Sequence, residues 1–209
     1  MPLSLECATC GPLGNNVYLW FDRASSEAML IDPGIDSDAL AAEIRKKNLN
    51  LKYIVNTHGH FDHTFNNRYF KNEFPEAMLL IHRADEHMLR AQTAMAAMFQ
   101  FDAESSPAPD DYLAEGGVLY LGAHQFEILE VPGHSQGSVA IVCGEDAVVG
   151  DALFAGSIGR TDLPGGDTET LLASIRGKLL TLPDGTRIHP GHGPATTVLR
   201  ERISNPYLI

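Results

Sequence analysis

Over the first third of the chain, apolar and polar residues fall into short runs, LSLECA, NVYLWF and EAMLID, separated by Gly, Pro, Asn and Ser. Such punctuation marks turns, so an antiparallel meander is expected. Asp36 or Ser37 is then placed to cap a helix through about Lys47, with Leu40 and Ile44 one turn apart on its buried face. The next run, LKYIVNT, is β-branched and apolar and reads as a buried strand.

A short helix over about Asn66 to Asn72, a strand MLLIH and a helix from about Asp85 to Phe99 follow. In that last helix Met88, Ala91, Met95 and Met98 recur at helical spacing, and the stripe reads as core because methionine fills irregular gaps. Gln100 to Gly117 holds Ser-Ser-Pro-Ala-Pro-Asp-Asp, an irregular segment of the length used for lids or substrate walls. The second half repeats the order in outline without any repeat of sequence. Strands over VLYLG, QFEILEV, SVAIVCG and DAVVG precede a Gly-rich loop, a helix near Thr168 to Thr181, a strand RIHPG and a final helix. Strand runs followed by strand-helix alternation in each half imply an α/β fold, an αββα sandwich of two mixed sheets with helices outside. No Pro- or Ser-rich linker divides residues 1–209, so one domain is expected.

Composition narrows the partners. Hydrophobic residues make up 44% of the chain and charged residues 20%, an ordinary globular balance. The formal net charge of −12 repels phosphate backbones and anionic bilayers, which argues against nucleic acid or membrane as partners. Two divalent cations bound locally would nonetheless make a cleft attractive to anions. The first residues lack a basic segment followed by an apolar one, and three cysteines do not make a disulfide framework, so a cytoplasmic location is expected. Cys7 and Cys10 form a C-x-x-C that precedes Gly-Pro-Leu-Gly, and they read as two small residues near the end of a strand.

The chemistry concentrates in Thr57-His58-Gly59-His60-Phe61-Asp62-His63, directly after LKYIVNT. Residues two apart in an extended segment share a face, so His58 and His60 can reach one ion. If the chain then turns into a helix, Asp62 and His63 point towards a second. Imidazole and carboxylate donors suit zinc, iron or manganese. Val131-Pro132-Gly133-His134-Ser135, Val148-Val149-Gly150-Asp151 and Ile188-His189-Pro190-Gly191-His192-Gly193 each end an apolar run at a Gly-containing turn, and they raise the set of candidate ligands to seven.

The ordered set H-x-H-x-D-H, P-G-H-S, G-D-x-L-F and P-G-H-G resembles the metallo-β-lactamase superfamily over nearly the whole chain, and within it the glyoxalase II-like, or hydroxyacylglutathione hydrolase-like, branch. The resemblance implies the metallo-β-lactamase fold, with one ion held by His58, His60 and His134, a second by Asp62, His63 and His192, and Asp151 bridging. It implies a bridging hydroxide that attacks a small-molecule thioester, zinc as the usual metal with iron or manganese as substitutes, and Asp62 and Asp151 as catalytic residues. In that branch the basic residue of the segment Asp151 to Asp162 contacts substrate, which marks Arg160 as an anion clamp, unless it pairs with Asp162 or Asp167 instead. Thr57 and Ser135 are candidates for fixing histidine tautomers. Only Gly193 to Ile209 follow the last ligand, so the helical domain that recognises glutathione in full-length glyoxalase II is not expected here. The rival readings are a persulfide dioxygenase with a single iron and a metal-binding protein without activity.

Overall fold

The structure, a computed structural model, describes residues 3–209. Two six-stranded sheets form its centre. The first is β1 (Leu3–Cys10), β2 (Asn15–Asp22), β3 (Glu27–Ile31), β4 (Asn50–Val55), β5 (Met78–His82) and β6 (Asp111–Leu113), in that order. The expected meander is present, since β1, β2 and β3 pair antiparallel, whereas β3 to β6 run parallel. The second sheet is built from β7 (Val118–Leu121), β8 (His124–Glu130), β9 (Val139–Cys143), β10 (Asp146–Gly150), β13 (Arg187–Pro190) and β14 (Thr196–Thr197). A two-stranded ribbon, β11 (Leu153–Phe154) with β12 (Ser157–Ile158), lies between β10 and β13 in sequence.

Period-two alternation explains the layers, because successive side chains of a strand point to opposite faces. Tyr18, Trp20, Met29 and Ile31 of the first sheet meet Phe126, Ile128, Val139, Ile141 and Val148 of the second in the central core. Their neighbours Val17, Leu19, Phe21 and Leu30 face outwards instead, onto Ala41 and Ile44 of α1 (Ala39–Lys46) and Phe70 of α3 (Asn67–Glu73). On the other side Ala140, Ala147 and Val149 pack against Leu171 and Ile175 of α5 (Thr168–Gly177) and Val198 of α6 (Val198–Ser204). The result is the four-layer αββα sandwich. Among the described residues no helix is long and apolar enough to cross a membrane.

Several local details differ from the sequence reading. Helix α1 starts after Asp38, because the Ser37 hydroxyl donates to the Gly34 carbonyl and closes a turn ahead of the helix. The helix expected to Thr181 ends as α5 at Gly177, and a 3-10 turn completes the stretch. The methionine stripe on α4 (Glu86–Met98) is only partly core. Met88 is buried, Met95 is half-buried and Met98 is 82% exposed, and the buried face is completed by Leu89, Gln92 and Ala96. The irregular segment after α4 tucks Ala103 into a satellite cluster with Ile35 and Phe61, then joins the first sheet as β6. Cys7 and Cys10 both lie on β1 in continuous register with β2. Residues three apart on a strand are about 10 Å apart and face opposite ways, beyond the reach of about 7 Å of a disulfide.

The central core also supplies a stability test. Trp20 and Phe126 meet edge-to-face with centroids 5.0 Å apart, and both are buried. Phe126→Ala is expected to lower the unfolding free energy by about 3–5 kcal/mol through lost burial and a residual cavity, read by urea denaturation with an unchanged m-value.

Candidate metal centre

The parallel strands set where the polar residues gather. Strands β3, β4 and β5 end at one edge of the first sheet, and β8, β10 and β13 share a direction in the second. Asp32 follows β3, Thr57 to His63 follow β4, Asp85 follows β5, His134 follows β8, Asp151 follows β10 and His192 follows β13. The two edges are tied together by hydrogen bonds. Asn16 N–H donates to the Gly191 carbonyl at 2.7 Å, Val139 N–H to the Thr57 carbonyl at 2.8 Å, and the Tyr18 hydroxyl to the Pro190 carbonyl at 2.7 Å.

All seven residues singled out from the sequence come together. Three donor atoms from His58, His60 and His134 group in one place, and three from Asp62, His63 and His192 in another. His134 Nε2 lies 3.2 Å from His58 Nε2 and 2.8 Å from His60 Nδ1, while His63 Nε2 lies 3.2 Å from His192 Nε2. The Asp151 carboxylate sits between the groups, its Oδ2 3.7 Å from both His134 Nε2 and His192 Nε2.

The partners of the opposite ring nitrogens decide which nitrogen carries the lone pair. Carbonyl and carboxylate oxygens only accept, so the His134 Nδ1–H donates to the Arg160 carbonyl at 2.8 Å and the His63 Nδ1–H to Asp32 Oδ2 at 3.0 Å. The His192 Nδ1–H is shared between the carbonyls of Leu13 and Gly14. Thr57 gives its hydroxyl proton to Asp32 Oδ2 at 2.6 Å, which leaves its oxygen to accept from His58 Nδ1 at 3.0 Å. When neutral, as a metal ligand must be, these four imidazoles present a bare Nε2 to the interior. Bare nitrogens about 3 Å apart repel unless a cation lies between them, and a tetrahedral zinc with bonds of about 2.0–2.1 Å has edges of about 3.3–3.4 Å. Asp151 Oδ1, buried and without a hydrogen-bond partner, is a further lone pair that a cation would satisfy. The donor set fits divalent metal.

Charge within the cluster is uneven. Burial first, then the neighbouring histidines, pushes His58 down, and burial with His134 brings His60 to about 4, so both stay neutral. Burial opposes a proton on His63 too, but Asp151, Asp62 and Asp32 outweigh it and raise its pKa well above the ordinary value. His192 is raised in the same way by Asp62 and Asp151 despite burial. Burial works against ionisation of Asp62 and Asp151, yet the histidines hold both carboxyls below their usual range. Two persistent carboxylates among imidazoles favour cations.

Two positioning carboxylates escaped the sequence reading. Asp32, fully buried with φ of +53°, also accepts from Thr57 N–H at 2.7 Å. Asp85, also buried, accepts from Gly59 N–H at 2.9 Å, the Ser135 hydroxyl at 2.6 Å and Gly137 N–H at 2.7 Å, and so joins the two loops that carry His58, His60 and His134. Thr57 acts on a histidine as anticipated, whereas Ser135 acts on Asp85. Gly191 is required by space, since a Cβ there would collide with Asp151 Oδ1 and the His63 ring. Arg160 brackets Asp162 with two hydrogen bonds of 2.7–2.8 Å, the pairing weighed against a clamp, and both side chains are exposed.

The sequence model of the metallo-beta-lactamase superfamily matches residues 10–192. The chain belongs to that superfamily. The hydroxyacylglutathione hydrolase GloC of Haemophilus influenzae is 39% identical over 197 residues, 93% of this chain and 92% of that one. Among solved structures, the BLEG-1 B3 metallo-beta-lactamase superposes with a TM-score of 0.90 at 34% identity, covering 98% of this chain and 99% of the other. TTHA1623 in a di-iron-bound form superposes at 0.88 with 36% identity, covering 97% and 100%. The superfamily is one of metallo-hydrolases, and the His and Asp groups described above could hold metal.

The cluster opens onto a cleft of about 290 Å³. A larger hollow of about 490 Å³ beside Tyr18, Trp20 and Arg187 includes none of the seven residues and shares no lining residue with the cleft. Loss of an outer partner of a metal-binding histidine typically weakens metal affinity 10–100-fold. Asp32→Asn is therefore expected to lower zinc affinity about 10–100-fold while the circular dichroism spectrum is kept, as measured by chelator competition.

Proposed function

We propose that the chain is a thioester hydrolase of the hydroxyacylglutathione hydrolase type, working with two divalent ions, zinc by preference and iron or manganese as substitutes. The observation that carries this reading is the Asp151 carboxylate, poised between two groups of three donors with one oxygen unpartnered. His58, His60 and His134 would hold one ion, and Asp62, His63 and His192 the other. The name of the Haemophilus influenzae relative supports the thioester, and the di-iron form of TTHA1623 supports a pair of ions. A persulfide dioxygenase with one iron would leave the second group without a role.

When bound, the two ions supply a hydroxide nucleophile at neutral pH and a Lewis-acid contact for the substrate carbonyl. Orientation falls to the protein. Asp32, Thr57 and the Arg160 carbonyl lock the imidazoles in one tautomer and one plane, so no reorganisation is needed during the reaction. Asp62, kept ionised with its Oδ2 3.3 Å from His192 Nε2, would orient the nucleophile through its carboxylate. The carbon–sulfur bond breaks with its electron pair going to sulfur. A thiol is acidic enough, with a pKa near 8.5, to leave as thiolate without a proton from the protein. Arg160 at the cleft mouth would meet an anionic thiol carrier, sharing its guanidinium with Asp162.

Removing metal with a chelator should abolish thioester hydrolysis, and adding back zinc, iron or manganese should restore it. Asp151→Asn should reduce both metal content and kcat by at least about 100-fold; unchanged turnover in that variant would refute the mechanism. For an acyl-glutathione, Arg160→Ala should raise KM several-fold with little change in kcat, and an unchanged KM would remove Arg160 from substrate binding.

A further inference from the structure

The composition of the cleft bears on the substrate. Of its lining residues, five belong to the donor cluster and one is Arg160. Every other one is apolar: Leu13, Phe61, Met95, Phe99 and Leu163. Phe61, between His60 and Asp62 in the chain, stacks on Phe99 with centroids 5.2 Å apart and planes 26° apart. Met95 and Phe99 are one helical turn apart at the end of α4. Phe99 is 48% exposed and Leu13 is 43% exposed, although Phe61 beneath Phe99 is buried. Large apolar surfaces left open around a polar reaction centre mark the place of an apolar ligand group. Arg160 is the one Lys or Arg among the lining residues, and with it assigned to the thiol carrier, an acyl group that carries charge has none of its own.

We propose that Phe99, with Met95 and Phe61, forms an acyl-binding wall that selects thioesters with short unbranched apolar acyl chains, of the butyryl to hexanoyl kind, over small hydroxyacyl groups. The inference rests on the thioester reading. The limit on chain length comes from the cleft, whose volume of about 290 Å³ lies just below the 300–1,000 Å³ usual for ligand pockets. The scissile carbonyl lies at the donor cluster, the alkyl chain runs along Phe61 and Phe99, and the thiol carrier leaves by the mouth.

The test uses the zinc-loaded protein and neutral N-acetylcysteamine thioesters of acetate, lactate, butyrate and hexanoate. A fully buried methylene is worth about fourfold, or about 0.8 kcal/mol. On this half-open wall kcat/KM is expected to rise about twofold or more per methylene, mostly through KM, with lactate below butyrate. Phe99→Ala flattens the series, Phe99→Leu restores part of it, and Met98→Ala, which changes an exposed side chain outside the cleft, leaves the slope as it was. A flat series in the unaltered protein, or an unchanged slope in Phe99→Ala, overturns the proposal. Calorimetric binding of the free carboxylates separates the two readings. If no thioester is hydrolysed but affinity climbs from acetate to hexanoate and Phe99→Ala removes the climb, the wall stands and the thioester reading fails. If carboxylate affinity is flat as well, the wall falls.

Discussion

Four imidazoles of this protein are held from behind. Each gives its Nδ1 proton to an oxygen outside the cluster: Thr57 for His58, Asp32 for His63, the Arg160 carbonyl for His134, and the carbonyls of Leu13 and Gly14 for His192. What remains on the inner side, once the rings are neutral, is a set of lone pairs about 3 Å apart, which is unfavourable without a cation and favourable around one. The tautomers and the inward aim of the four rings follow from that one directional constraint.

The fold supplies it economically in structural terms. Parallel strands release their chains at one edge, and a turn after each strand end projects a polar side chain into the same space. Strands β3, β4 and β10 run apolar and buried into their C-terminal ends, and the polar residues follow. Asn16 and Tyr18 on β2 then pin the loop of His192 from the first sheet, and Asp85 pins the loop of His134 to that of His58. Donors scattered over 135 positions of sequence are brought within one cluster by contacts that cross between the two sheets.

Much of this was legible in the sequence because each donor sits in a short motif at the end of an apolar run, and a run buried on both faces can only be a central strand. Asp32 carries the same mark, in Ile31-Asp32-Pro33-Gly34 after an apolar strand, and that repeated strand-end pattern was the signal available for it. Asp85 had no such signal, since its partners are a hydroxyl and backbone amides on two distant loops. The cleft wall was hidden for another reason. Met95 and Phe99 fit the helical periodicity of a core face, and periodicity cannot tell a side that packs on protein from one that lines a cavity.

Anomalous X-ray diffraction from crystals of the metal-loaded protein shows whether two cations share Asp151. Two peaks about 3.5–4 Å apart are expected, one within the group of His58, His60 and His134 and one within that of Asp62, His63 and His192, with the Asp151 carboxylate contacting both. A single peak, or a pair of which neither touches Asp151, would contradict that arrangement.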